Sequence, residues 1–327
     1  MKNDSIKTIA ELLCRAESIL IFPHVNVDGD ALGSCAALCK ALRQKGKEAW
    51  ILLEDEIPAN LRFLDEDICT WDQDKIKEPD ICMCVDCGDT GRFPGRAEKF
   101  FSAGATVCVD HHMTAKYICD YNHVDPREAA TGQLIFELLK ELKTEPDPQI
   151  GEAIYAAITT DTGDFTYSNT QKKSHLIVAE LYDWGCDFNK VSVEIYENVR
   201  PEKIRMHTGA METLKLIGGG KGALVYVTQK LLAETGAKMD ESEGLAQDLR
   251  SISGVEFAAV LKEYGDENIR VSLRAKRCGN VAVIAESLGG GGHVKAAGCT
   301  IKAPLLQAAA MVEKEILKAI ERLENNE

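Results

Sequence analysis

SILIFPHVNVDGDALGS, residues 18–34, carries the transition that decides the fold. Its first seven residues are an apolar run of strand length that ends on His24, with Asp28 and Asp30 close behind. From Gly29 to about Lys45 the pattern turns helical, with small residues along the side that would pack. An apolar strand running into a helix is the repeating unit of an open parallel sheet. The unit recurs outward from this stretch. EAWILL (48–53), PDICMCVD (79–86) and ATVCVDHH (105–112) read as three further strands. Helical patterns follow at roughly 129–143 and 148–159, and LIVAELYDWG (176–185) reads as a helix closed by Gly185. The first half is expected to be an α/β domain on a parallel sheet.

The composition then shifts. Residues 188–217 are charged and helical in pattern, interrupted at Pro201, and GGGKG (218–222) closes them. This stretch is expected as a linker helix, dividing the chain into a first domain at 1–187 and a smaller α/β domain at 218–327. In the second, ALVYVT (223–228), VEFAAVLKEY (255–264) and NIRVSLRAK (268–276) read as strands, the last two as a hairpin around GDEN. A helix at about 281–288 runs into GGGG (289–292), and residues 308–324 read as a terminal amphipathic helix.

A chain of 327 residues is long enough for about two domains with their own cores. Hydrophobic residues at 45% and charged residues at 28% exclude collagen-like and mainly disordered classes. The net charge of −14 argues against a protein that holds duplex DNA or an anionic membrane by bulk electrostatics. Apolar runs such as Ile19–Phe22 fall far short of the roughly 20 residues a bilayer needs. The N-terminus mixes charges through MKNDSIKTIAELLCRAESIL and lacks the uncharged core of a signal peptide, so the cytoplasm is the expected location. Twelve cysteines in such a chain do not make a disulfide scaffold. Cys82 and Cys84 sit at strand spacing in an apolar run, where cysteine is a small hydrophobe, and no second CxxC completes a zinc site with Cys87.

Three strands of the first half end in the same chemistry. SILIFPH runs into His24, then Asp28 and Asp30; ICMCVD ends at Asp86; TVCVDHH ends at Asp110, His111 and His112. Ligands of an open parallel sheet bind outside the carboxyl ends of its strands, so these groups converge on one rim. Asp161 in AAITTDTGDF is expected to join them, with Asp164 competing for that place. One Asp after a strand is ordinarily a turn or cap residue, and one His an ordinary core or surface residue. Three strand ends alike are not explained that way. Carboxylates so crowded repel one another unless cations neutralise them. Mixed carboxylate and imidazole donors favour Mn²⁺, with Mg²⁺ or Zn²⁺ next. Two such ions sharing a carboxylate are the usual clamp for phosphoester displacement.

Two look-alikes fail on spacing. In NVDGDALG, Ala31 stands where a calcium loop needs its sharp-turn Gly. Around GGGKG, Lys215 takes the first Gly position of a P-loop and Gly222 the Ser/Thr position. A second signal lies at 270–295, where Arg270, Arg274, Lys276, Arg277 and Lys295 face Glu286 alone. The glycines before His293 in LGGGGHVKAAG could offer successive N–H groups to an anion, with Arg274 on a nearby strand.

Taken together, HVNVDGDALGS, VDCGDT, VDHHMT and TDTGDF resemble the four motifs of the DHH phosphoesterases. GGGGHVKAAG resembles the glycine-rich motif of their DHH-associated C-terminal domain. The resemblance covers nearly the whole chain, and size and domain order are most similar to the nanoRNase / pAp-phosphatase branch. It implies one Mn²⁺ on His24, Asp28 and Asp86, and a second on Asp30, Asp86, His111 and Asp161, with Asp86 as the bridge. It implies His112 facing the scissile phosphate and Asp110 orienting an imidazole. Arg274 with Gly291, Gly292 and His293 would grip the phosphate or base of a nucleotide. Asp164 stands where relatives often carry an uncharged residue. The implied activity is Mn²⁺-dependent hydrolysis of short oligoribonucleotides to mononucleotides, of adenosine 3′,5′-bisphosphate to AMP, or both. A cyclic di-AMP or pApA phosphodiesterase is the alternative, and a catalytically silent nucleotide-binding regulator the rival from another class. The expected partners are short single-stranded RNA or small nucleotides, not long duplex DNA or a membrane; a homodimer is left open.

Overall fold

The computed structural model describes residues 3–325. Helix α1 (Ile6–Arg15) leads into β1 (Ser18–Phe22), and Asp28 caps α2 (Gly29–Gln44) by accepting the Ala31 amide. Strands β2 (Glu48–Leu52), β3 (Cys69–Thr70) and β4 (Ile81–Val85) follow, then the single turn α3 (Ala97–Phe100), β5 (Ala105–Asp110) and β6 (Tyr121–Val124). Helices α4 (Thr131–Glu141), α5 (Pro148–Asp161), α6 (Lys172–Asp183) and α7 (Phe188–Ser192) complete the first unit.

All pairs in its sheet are parallel, in the order β3-β2-β1-β4-β5-β6. The winding reverses between β1 and β4, and a crevice forms beyond the strand ends at such a point. Alternation assigns each strand residue a face. Ile19, Ile21, Met83, Val107 and Val109 join the core under α2, α4 and α5. Leu20, Phe22, Cys82, Cys84 and Cys108 join a smaller core with Phe93 and Phe100. All twelve cysteines are free thiols.

The stretch 188–217 does not form one linker helix. It divides into α7, a π-helical turn over Val193–Glu197, α8 (Pro201–Glu212) and the edge strand β7 (Lys215–Ile217). Pro201 sits in the first turn of α8, where a missing N–H costs nothing. The chain divides into two compact units between Asn198 and Val199, because Met206 and Ala210 of α8 pack into the core of the second.

That second unit adds β8 (Gly222–Val227), α9 (Gln229–Thr235), α10 (Leu245–Ser251), β9 (Phe257–Glu263), β10 (Ile269–Ala275), α11 (Val281–Ser287), β11 (Gly291–Gly292), β12 (Ala296–Ile301) and α12 (Leu305–Glu324). Its sheet runs β11-β12-β10-β9-β8-β7, with only β8 and β9 parallel. Residues of α11 and α12 cover one face, and residues of α8 and α10 cover part of the other. Among the described residues no helix is long and apolar enough to cross a membrane.

Candidate metal centre

The rim of the first sheet is built where β1, β4 and β5 end. Pro23 follows β1, and His24 turns inward, 4% exposed. Its Nδ1 lies 2.7 Å from the Val25 carbonyl. A carbonyl can only accept, so Nδ1 carries the proton and Nε2 keeps its lone pair. That Nε2 is buried without a hydrogen-bond partner. It faces Asp28 Oδ2 at 3.4 Å and Asp86 Oδ2 at 3.7 Å. Asp28 gives its other oxygen to the cap of α2.

The second imidazole repeats the device. His111 Nδ1 donates to the Glu128 carbonyl at 3.1 Å. Its Nε2 stands 3.8 Å from Asp30, 3.7 Å from Asp86 and 3.6 Å from Asp161. A backbone carbonyl that fixes the tautomer and aims the other nitrogen is the usual support of a metal-ligating histidine.

Asp86 stands between the two groups. The chain turns left-handed there, at φ 60°, a conformation a non-glycine residue adopts only when its surroundings hold it. Its amide donates to the Val109 carbonyl, and Oδ1 accepts the Thr131 hydroxyl at 2.7 Å. Asp30, 2% exposed, accepts the Thr131 and Gly132 amides at 2.7 and 2.9 Å and the Ser34 hydroxyl at 3.1 Å. Burial and the charge of Asp161 push the Asp30 carboxyl up to about 7. Burial, then the charges of Asp30, Asp28 and Asp110, push Asp86 up as well. Carboxylates held ready but too crowded to ionise freely are what a cation relieves.

His112 is oriented differently. Asp110 accepts its amide at 3.0 Å and its Nδ1–H at 2.7 Å, so Nε2 is the free end of this ring. Asp86 lies 3.5 Å from the same protonated Nδ1, which cannot serve as a metal donor while Asp110 holds it. His24, Asp28 and Asp86 form one set with donor atoms within 4.8 Å of one another, and Asp30, His111 and Asp161 form another. The orphaned Nε2 of His24 and the neighbouring imidazole and carboxylate donors fit divalent metal binding. Asp164 does not join: its carboxylate accepts the Thr159 hydroxyl at 3.1 Å.

Sequence reasoning missed the supports. Thr131, Gly132 and Ser34 fix the carboxylates, and a Cβ on Gly132 would stand 2.6 Å from that of Ala157. The one available signal was a Thr-Gly pair opening a helix. Arg96, 2% exposed, donates to the Leu52 and Pro23 carbonyls and to Glu54, tying the ends of β1 and β2 together.

The remaining site residues lie on the second unit. Gly291 and Gly292 form β11 and pair with Gly298 and Ala297. His293, exposed, closes the hairpin, its backbone N–H donating a hydrogen bond to the Ala296 carbonyl at 2.7 Å. Gly292 has φ 143°, and a Cβ there would meet the Ala297 Cα at 2.5 Å. Arg274 lies on β10, opposite Ala296.

Residues 18–158 match the model of the DHH family N-terminal domain, and residues 207–325 match that of the DHHA1 domain. The bifunctional oligoribonuclease and PAP phosphatase NrnA of Thermus thermophilus is 31% identical over 91% of this chain and 89% of its own. The Bacillus subtilis protein of that name is 28% identical over 92% of this chain and 93% of its own. A crystal structure of an exopolyphosphatase-related protein from Bacteroides fragilis superposes with a TM-score of 0.91 at 25% identity, covering 98% of this chain and 97% of that one.

Proposed function

The chain belongs to the DHH family, and on that premise we propose that it hydrolyses short oligoribonucleotides to mononucleotides and adenosine 3′,5′-bisphosphate to AMP. The observation that carries the reading is the buried, unpartnered Nε2 of His24, set against Asp28 and Asp86 and mirrored by His111. The names of the relatives supply the two substrates.

His24, Asp28 and Asp86 would hold one cation, and Asp30, His111, Asp161 and the shared Asp86 a second. Mn²⁺ suits this mixture of hard carboxylates and borderline imidazoles best, with Mg²⁺ next. Bound there, the ions would supply an activated water and neutralise charge on the phosphate oxygens. The chain's own part begins at His112. With Nδ1–H held by Asp110, its protonated form offers an Nε2–H to a leaving oxygen, and the Asp110 charge supports the imidazolium. Arg274, Gly291, Gly292 and His293 are assigned to the phosphate or base of the nucleotide.

The test is one panel with Mn²⁺: a dinucleotide, a five-residue RNA, a long single strand, pApA, cyclic di-AMP, adenosine 3′,5′-bisphosphate and pyrophosphate. Turnover of the dinucleotide, the short RNA and the bisphosphate is expected. Preference for the long strand, or turnover of cyclic di-AMP alone, would overturn the reading.

A further inference from the structure

Three thiols meet on the face of the first sheet that turns away from α2, in the smaller core beside Phe93 and Phe100. Cys84 of β4 and Cys108 of β5 are register partners on neighbouring parallel strands, and both are fully buried. Cys119 comes from the loop that joins β5 to β6. It packs against the same core and brings its Sγ to 3.7 Å from the Cys84 Sγ, a van der Waals contact. Cys82 and Cys87 of that core are placed otherwise, their thiols lying against the Lys99 and Asp89 carbonyls. Filling space as a small hydrophobe accounts for those two. It does not account for a sulfur that a loop delivers against the sulfur of a strand.

Cys119 differs from its two neighbours in access. It is half-buried and lines a cavity of about 500 Å³ together with Asp4, Gly104, Tyr117, Tyr121 and Asn122. Asn122 fixes the residue from both sides: its Nδ2 donates to the Cys119 carbonyl at 2.6 Å, and its Oδ1 accepts the Cys119 N–H at 3.4 Å. Donation from the Cys108 and Cys84 thiols holds the Cys119 thiol well below the ordinary thiol range, against the opposing effect of burial. The thiolate is the nucleophile in the reactions of cysteine. A sulfur that is partly open, favoured in that form and already touching a second thiol has the parts of an oxidisable pair.

We infer that Cys119 is the reactive sulfur of a modification site whose co-reactant is a hydroperoxide, and that Cys84 completes a disulfide with it. The Cys119 sulfur attacks an oxygen of hydrogen peroxide. An S–O bond forms, the O–O bond breaks, the sulfur gives up two electrons and hydroxide leaves. The Cys84 sulfur then attacks the Cys119 sulfur. The S–S bond forms, the S–O bond breaks, and the leaving hydroxide takes the Cys84 proton as water. The two sulfurs must close from 3.7 Å to about 2 Å, a movement that a loop residue can supply. The loop opens at His111 and His112, so the disulfide would tie the segment behind those imidazoles to β4, ahead of Asp86. The site goes beyond the hydrolase reading and does not depend on which substrate is turned over.

The test uses the full chain, reduced, freed of reductant and exposed to hydrogen peroxide, then mapped without reduction by peptide mass spectrometry. A linked pair of peptides carrying Cys84 and Cys119 is expected, returned to free thiols by dithiothreitol. Cys84→Ser should stop the sequence at the sulfenic acid, captured on Cys119 by dimedone. Cys119→Ser should leave Cys84 a free thiol under the same exposure. The wild-type map decides the matter even where the buried Cys84 variant fails to fold. Oxidation of the exposed Cys14 or Cys278 without a Cys84–Cys119 link in that map would overturn the inference. So would a Cys119 disulfide with Cys108 in its place.

Discussion

Thr131→Val isolates the hydrogen bond that holds the shared carboxylate. Thr131 is fully buried at the start of α4, and its hydroxyl donates to Asp86 Oδ1 at 2.7 Å. Valine keeps the volume, the β-branch and the backbone amide that Asp30 accepts, so only the Oγ–H is lost. A hydrogen bond to a charged acceptor contributes about 1.5–3 kcal/mol, a factor of about 10–150 in an equilibrium constant. Without it the Asp86 carboxyl, already pushed up by burial and by three neighbouring carboxylates, loses a donor that favours its charged, metal-binding form. Mn²⁺ should therefore bind about tenfold more weakly, the low end of that range, because a freed carboxylate can turn to another donor. Calorimetric titration of the metal-free chain measures this directly, and Thr131→Ser should restore wild-type affinity. A Val variant that binds Mn²⁺ within twofold of wild type would refute the role given to Thr131.

Asp86→Ala should abolish turnover of every substrate, because the proposed bridging carboxylate would serve both cations; substantial residual activity in the same assay panel would remove the shared-carboxylate model. Gly33→Ala places a Cβ 2.6 Å from the Ala153 carbonyl oxygen and 2.9 Å from the Ala157 nitrogen, backbone atoms that cannot turn away. It should cost about 1–3 kcal/mol, seen as a lower thermal midpoint, and an unchanged midpoint would mean that α2 and α5 have room to part. Arg96→Met leaves the Leu52 and Pro23 carbonyls without this donor, while Glu54 keeps the Gly95 amide, and should cost about 1–3 kcal/mol in urea unfolding. Equal stability would show that water or another side chain takes over both carbonyls.

How much was legible depended on whether a feature has a letter. The βα units were readable at β1 and α2 because apolar runs and helical spacing are written in side chains, and strand ends carried the candidate ligands with them. Strand β6 was not read. Its sequence is YNHV, and it pairs at the sheet edge while Asn122 and His123 bond to Asp4, more than a hundred residues earlier in the chain. Strand β12 was read only as part of a glycine motif, since AAGCTI has too little bulk to show alternation. The stretch 188–217 was misread as one helix because its charge pattern is local. What divides it is distant: Met206 packs into the second core, and Lys215–Ile217 pair with β8. Within the site the donors were legible and their supports were not. The Glu128 carbonyl and the Thr131 and Gly132 amides are backbone groups, which every residue carries.

The proposed function would handle one kind of ligand in two ways. Asp28, Asp30, Asp86 and Asp161 give the rim four negative charges when ionised, and such a rim repels a phosphate until cations fill it. Two divalent ions would cancel that charge while leaving the ligand geometry in place, because His24, His111, Asp30 and Asp86 are already fixed by groups that are not ligands. Arg274, assigned above to the phosphate or base of the nucleotide, would need no ion to attract a phosphate. A chain with a net charge of −14 can therefore act on an anion, provided its acidity is gathered where metal offsets it and its basic groups are kept on another surface.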